Sequence, residues 1–131
     1  MGSKKTVALL LDYLGGDYQG GLLAGVSACA EERDVNVLTV VGRSLAAPRA
    51  SDAAQNDIYS RIGSERVEGV IMSAGTLGIF AGVEALQALC RSYAPLPVVS
   101  IGVDVPGVPS LVVSNQSGQK TVVDHLVEEH G

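Results

Sequence analysis

The stretch VEGVIMSAGTL at residues 67–77, followed by LPVVSIG at residues 96–102, decides the fold of this chain. Each stretch contains a short β-branched run that stops abruptly in small residues, with helical patterns before and after it. Apolar runs of four or five residues that alternate with helical patterns indicate parallel strands buried on both faces. Ligands of such sheets bind just beyond the carboxyl ends of the strands, so we look for function in the small residues at those ends.

The same alternation extends along the whole chain. It predicts strands at residues 6–12, 35–41, 68–73, 98–101 and 110–113, and helices at residues 18–33, 52–64 and 83–93 and from about residue 115 onward. Asp17 is the expected N-cap of the first helix, and Ser114 or Asn115 that of the last. With right-handed crossovers, we expect an α/β fold, a three-layer Rossmann-like sandwich with parallel strands in the flavodoxin-like order 2-1-3-4-5.

The composition is typical of one globular domain with a single core. The chain has 131 residues, of which 47% are hydrophobic and 18% charged, and its formal net charge is −5. A negative charge with scattered Lys and Arg disfavours a nucleic-acid partner, and no apolar run is long enough for a membrane span. Residues 1–5 lack a signal-peptide core and are expected to be a tag or a disordered terminus, so we expect a cytoplasmic protein.

The sequence lacks the residue patterns that most catalytic and metal sites require. Cys29 and Cys90 fall on apolar helical stripes and are expected to be free, buried thiols. Only His125 and His130 could join them as metal ligands, and neither histidine follows a strand as a Ser-His-Asp triad would require. The loop after the first strand has adjacent glycines instead of G-x-G-x-x-G, no P-loop motif occurs, and Ser73 stands where a phospho-receiver needs Asp. We therefore expect no enzymatic activity, no metal and no cofactor.

The residues that remain suit a site for binding a small molecule. Tyr13 and Tyr18 flank the loop after the first strand, in a chain with few aromatic residues. Donors and acceptors are expected along the same edge of the sheet, from Asp12, Gln19, Ser73, Thr76, Ser100 and Asn115. Apolar walls with a few convergent polar groups are what such a cleft requires.

Several segments together resemble the LacI-type, periplasmic-binding-protein-like sensor domain. They are residues 6–25, 67–71, 97–101, 109–118 and 125–131, so the similarity covers the whole chain. The resemblance implies two Rossmann-like lobes that close on a small ligand, often a sugar or a nucleoside. Residues 6–131 would be the N-terminal lobe, with the second lobe absent. Carried over by position, the lobe-one ligand contacts would be Tyr13, Tyr18, Gln19, Ser73, Thr76 and Asn115.

One branch of the family is especially similar. Residues 56–59, 73–78 and 89–93 resemble sensor domains fused to histidine kinases or diguanylate cyclases in bacteria. The chain departs from the family pattern at Ser114-Asn115, where Asp-Asn is common, so one expected polar contact is absent or changed.

Two functions follow as hypotheses. The first is the ligand-sensing lobe of a bacterial transcriptional or signalling regulator, which binds a small-molecule effector. The alternative is a module for dimerisation and signal transmission with no ligand of its own. We also expect a homo-oligomer, because a lobe without its second half leaves apolar surface uncovered. The expected contact faces are the helices that carry Ile58, Tyr59, Ile62 and Leu86.

Overall fold

The computed structural model describes residues 2–131, and Met1, which belongs to the predicted terminal segment 1–5, lies outside the described residues. One five-stranded sheet has the order β2-β1-β3-β4-β5, and all four neighbouring pairs are parallel. The strands are β1 (Thr6–Leu11), β2 (Asn36–Val41), β3 (Gly69–Met72), β4 (Val98–Ile101) and β5 (Ser110–Leu111). The predicted fold class and strand order are therefore confirmed.

Five α-helices and a 3-10 segment connect and flank the strands. They are α1 (Asp17–Glu32), α2 (Ala50–Gln55), the 3-10 segment (Asn56–Arg61), α3 (Ala74–Leu77), α4 (Gly82–Ser92) and α5 (Asn115–His130). The predicted bounds of the first, third and last long helices are right to within about one residue. The single turn α3 lies between the predicted strand, which ends at residue 73, and the next predicted helix, which begins at residue 83.

The core lies mainly on one face of the sheet. Alternate strand residues such as Ala8, Leu10, Val70 and Met72 point to this face and are buried with the apolar side of α4, where Leu86 and Cys90 lie. The opposite face carries Leu9 and Leu11, which are fully buried. Paired residues of parallel strands share a face, so Ile71 and Val99 continue the row that starts at Leu9.

The predicted helix over residues 52–64 is wrong in its middle, where α2 gives way to the tighter 3-10 segment at Asn56. The side chain of Asn56 accepts a hydrogen bond from the Arg43 backbone N–H at 2.7 Å and donates to the Ser44 carbonyl at 3.1 Å. An Asn side chain that bonds the backbone in this way competes with regular helix. It ties the chain to the end of β2 and turns Tyr59 into the core.

Two predictions about α1 are wrong. Asp17 is not the N-cap, because the helix begins at Asp17 and the N-cap is Gly16, with no side-chain capping bond. The Asp17 carboxylate instead lies in the first turn, where its negative charge interacts favourably with the positive end of the helix dipole. Cys29 is exposed instead of buried, because it borders an open apolar groove beside α1. Cys90 is buried as predicted.

The expected contact faces for an oligomer stay a prediction, although the four residues that mark them differ in exposure. Tyr59 and Leu86 are each only 1% exposed, so neither side chain is available to a partner, whereas Ile58 is exposed and Ile62 is half-buried. Large exposed apolar side chains occur elsewhere, above all on α5, none of whose residues is buried. Among the described residues, no helix is both long enough and apolar enough to cross a membrane.

Candidate functional site

A cleft lies at the carboxyl ends of β3, β4 and β5, where a doubly wound sheet binds its ligands. Its volume is about 370 Å³, within the size range of small-molecule sites. The lining residues are Tyr18, Gly75, Thr76, Gly102, Val113 and Asn115. Three of the six predicted contacts, Tyr18, Thr76 and Asn115, are thus brought together, although they lie on three different connections of the fold.

Two glycines form the close-packed floor of this cleft. A Cβ atom built on Gly102 would lie 3.2 Å from the backbone N and Cα of Gly75 and 3.5 Å from the hydroxyl of Tyr18. Gly102 also has φ +92°, a conformation that other residues adopt only with strain. The chain therefore needs glycine at position 102, and the Tyr18 hydroxyl stands directly above that floor.

Ser73 is fully buried and does not line the cleft. Its Oγ lies 3.0 Å from Thr76 Oγ1, and Thr76 Oγ1 donates to the Ser73 carbonyl at 3.2 Å. Each hydroxyl has one proton, so Ser73 donates to Thr76, and Thr76 keeps a free lone pair. Ser73 thus orients Thr76, which presents a hydrogen-bond acceptor to the cleft.

A second polar cluster lies at the ends of β1 and β2. The guanidinium carbon of Arg43 is 5.9 Å from the centre of the Tyr13 ring, a cation–π distance. Gln19 Nε2 donates to Asp12 Oδ1 at 3.2 Å. Tyr13 and Gln19 are therefore at the predicted edge, but they do not line the same cleft as Tyr18. Whether any of the six residues contacts a ligand stays a prediction.

Arg43 was missed by the sequence analysis, although it follows the carboxyl end of β2 and thus meets the rule that selected the other residues. Its Nε also lies 3.9 Å from Asp52 Oδ1. Arg43 gives this edge a cation and the half-buried Asp12 gives it an anion, so the second cluster offers both signs of charge. Gly75 and Gly102 were missed as well, because they line the cleft with backbone atoms, whereas the sequence analysis selected polar and aromatic side chains. Ser100, also expected at the edge, is buried and donates to the Val103 carbonyl at 2.7 Å.

The buried hydroxyl of Tyr59 connects the carboxyl ends of β1 and β2 by hydrogen bonds. This hydroxyl lies 3.0 Å from the Leu11 carbonyl and 3.1 Å from the Arg43 carbonyl, and it accepts the Gly42 N–H at 3.2 Å. Burial raises the pKa of Tyr59 well above its ordinary value, so the phenol stays protonated. Tyr93 in turn donates to the Tyr59 carbonyl at 2.8 Å. The edge that carries Asp12 and Arg43 is thus held by a buried phenol.

A larger cleft, of about 440 Å³, lies away from this edge between α4 and the loop of residues 103–109. Prolines and the side chains of Gln87 and Arg91 form much of its lining, and none of the six predicted residues contributes to it. Within residues 2–131, no group of three or more His, Cys, Asp or Glu side chains is arranged to hold a metal ion.

Comparisons with known proteins give one structural likeness. Neither the protein-family models nor the curated protein sequences match this chain. Among solved structures, the chain is similar to a periplasmic binding protein/LacI transcriptional regulator from Alkaliphilus metalliredigens QYMF, complexed with D-xylulofuranose. The TM-score is 0.60 at 17% identity, and the likeness covers 95% of this chain and 41% of that chain. The chain therefore has the fold of one lobe of a periplasmic-binding-protein-like protein.

Proposed function

We propose that this chain is the N-terminal, ligand-sensing lobe of a bacterial transcriptional or signalling regulator, without enzymatic activity. Its effector is a small polar molecule of the sugar or nucleoside class, held between this lobe and a second one. The observation that carries the proposal is the convergence of Tyr18, Thr76 and Asn115 on one cleft at the carboxyl edge. The solved neighbour, a protein of the same fold, is complexed with a sugar.

The chemistry of the cleft suits a hydroxylated ligand. Tyr18 supplies an aromatic face and a hydroxyl, Asn115 an amide, and Thr76 an acceptor whose own proton is already used. Hydrogen-bonding groups around an apolar surface match the alternating hydroxyls and C–H faces of a sugar ring. None of the described residues that line this cleft is Asp, Glu, Lys, Arg or His, which favours a neutral ligand.

Exposed apolar side chains around the cleft support closure by a second lobe. The loops after β1, β3 and β5 expose Tyr13, Leu14, Phe80 and Val113, and Tyr18 is itself 49% exposed. Such residues gathered at one edge are typical of a surface that another domain covers. We place the complete protein in the cytoplasm and, by the resemblance of residues 56–59, 73–78 and 89–93, upstream of a histidine kinase or a diguanylate cyclase.

The test is an NMR titration of the ¹⁵N-labelled 131-residue chain with pentoses, hexoses and nucleosides. We expect shifts at the amides of Tyr18, Gly75 and Gly102, with weak affinity, because an open half-site leaves the ligand largely in water. A Kd on the order of 1 mM corresponds to only about −4 kcal/mol. Thr76→Val should weaken binding several-fold, whereas Thr121→Val, on the exposed surface of α5, should leave it unchanged.

Two results would contradict the proposal. One is shifts confined to the cleft beside α4, which would move the site away from the carboxyl edge. The other is equal affinity of the chain and its Thr76→Val variant for every compound that binds.

A further inference from the structure

The cleft between α4 and the loop of residues 103–109, named the α4 cleft below, is lined entirely from within residues 87–109. Pro97 directly precedes β4 and Pro109 directly precedes β5, so this cleft lies toward the amino edge of the sheet. The proposed second lobe closes on the carboxyl edge, at the other end of the same strands. The α4 cleft is therefore separate from the proposed effector site, and its walls come from segments that are neighbours along the chain.

Hydrogen bonds and one buried side chain fix the loop that forms a wall of the α4 cleft. Gln87 Nε2 donates to the Pro106 carbonyl at 3.0 Å, which ties the loop to α4. The Ser110 hydroxyl accepts the Val105 N–H at 3.1 Å and donates to the Val108 carbonyl at 2.9 Å. The Val105 side chain is buried in the core. Because this wall is fixed in advance, binding of a ligand requires little ordering of the loop.

The lining of the α4 cleft combines an apolar surface with one cation. Leu96, Pro97 and Val108 are among its apolar residues, and Arg91 is the one charged residue in the lining. Among the described residues, no carboxylate forms an ion pair with Arg91. The amide nitrogen of Gln87, the other polar side chain of the cleft, is already bonded to the loop. Arg91 is therefore the side chain best able to bind an anionic group here.

We propose that the α4 cleft is a second ligand site, which takes a small monocarboxylic acid with an apolar body, and that Arg91 binds the carboxylate. A guanidinium matches a carboxylate in shape and donates two parallel hydrogen bonds to it. One cation balances one negative charge, which favours a carboxylate over a phosphate. The volume of about 440 Å³ is within the range of small-molecule sites. The apolar walls suit a hydrocarbon body, whereas the hydroxyls of a sugar would lack partners there.

Benzoate, benzamide and acetate separate the two parts of this recognition. Each is titrated into the ¹⁵N-labelled chain at constant ionic strength. We expect benzoate to shift the amides of Gln87, Arg91 and Gly107 with a Kd on the order of 1 mM. The amides of Gly75 and Gly102, in the effector cleft, should not shift. Benzamide keeps the ring without the charge and acetate keeps the charge without the ring, so both should bind several-fold more weakly than benzoate.

Substitution of Arg91 tests the role of the cation. Arg91 is exposed, so Arg91→Gln should keep the fold, which unchanged amide shifts away from the cleft would verify. We expect its benzoate affinity to fall about three- to tenfold, since the guanidinium is partly in water, and its benzamide affinity to stay the same. Arg91→Lys keeps the charge and should retain most of the benzoate affinity. Arg33→Gln is the matched control, because Arg33 is the one charged residue lining the groove beside α1, and it should bind benzoate like wild type.

Three results would overturn the proposal. Equal affinities for benzoate and benzamide would mean that no cation takes part in binding. A loss of benzoate binding in Arg33→Gln but not in Arg91→Gln would place the site in the groove beside α1. An absence of shifts in the α4 cleft at benzoate concentrations well above the expected Kd would exclude the site. None of these results bears on the proposed effector, because its titration uses sugars and nucleosides and is followed at the carboxyl edge.

Discussion

Replacement of Tyr59 by Phe isolates the contribution of one buried hydroxyl to the stability of the fold. The ring of Tyr59 is 1% exposed, and Phe keeps its shape, so no cavity is created. What is lost is an oxygen that contacts Leu11, Gly42 and Arg43 at 3.0–3.2 Å. The change therefore separates hydrogen bonding from packing at the ends of β1 and β2.

The magnitude follows from the partners that remain. The Gly42 N–H also donates to the Leu11 carbonyl at 3.1 Å, so these two groups stay paired without the phenol. The Arg43 carbonyl loses the hydroxyl. An unsatisfied buried acceptor costs on the order of 1–3 kcal/mol. Since the Arg43 carbonyl is the single group orphaned and is part-buried, we expect the free energy of unfolding to fall by about 1–2 kcal/mol, the lower part of that range. Tyr59→Ala removes the ring as well and should cost about 3–5 kcal/mol.

Urea unfolding followed by far-UV circular dichroism measures both changes. With an m-value of about 2 kcal/mol/M, Tyr59→Phe should lower the urea midpoint by roughly 0.5–1 M at unchanged m. Tyr13→Phe is the matched control, because the Tyr13 side chain is 49% exposed, and it should leave the midpoint unchanged. A Tyr59→Phe midpoint equal to that of wild type would refute the reasoning. So would a loss as large as that of Tyr59→Ala.

Three further predictions concern titration, thiols and backbone strain. Burial raises the pKa of Tyr59 above 10.0, so at high pH the phenol keeps its proton in the folded state and loses it in the unfolded state. The contribution of Tyr59 to stability is therefore intact below pH 10 and falls above it. In unfolding experiments across this pH range, Tyr59→Phe should lose less stability than wild type. In native protein, the exposed Cys29 should react with a thiol reagent. Cys90 should react only after unfolding, because its side chain is buried and burial raises the pKa of its thiol. Equal reaction rates of the two thiols would contradict the structure. Gly102→Ala and Gly107→Ala both force a residue to positive φ, at about 1–3 kcal/mol each. Only at position 102 would the new Cβ also press on backbone, so Gly102→Ala should be the more destabilising in thermal melts, and the reverse order would count against the close-packed floor.

The sequence predicted the strands well because they are short β-branched runs bounded by turn residues. It failed where one side chain overrides local propensity. Asn56 converts the expected second helix into a 3-10 segment through bonds to residues 43 and 44, and no pattern within residues 52–64 reveals partners that lie outside that stretch. It failed again at Cys29, because its helical spacing says which side of α1 is apolar but not whether anything covers that side.

The candidate site was predictable in location but only partly in membership. The rule that ligands bind at strand carboxyl ends selected Tyr18, Thr76 and Asn115, which line one cleft. The same rule also selected Ser73, whose position directly after β3 buries it, so that it orients Thr76 without lining the cleft. The pairing of Arg43 with Tyr13 depends on how two loops meet, which spacing along the chain does not encode.

The exposure of α5 beside a buried sheet divides the molecule into regions of very different local stability. Backbone amides of β1 and β3 lie between strands in the buried centre, whereas the amides of α5 are protected only by that helix's own turns. Hydrogen exchange should therefore be slowest in β1 and β3 and fastest in α5. A protease could remove residues 115–131 and leave the five strands folded. Whatever packs on α5 would then set how fast a protease removes residues 115–131, while the resistance of the five strands to proteolysis would not depend on it.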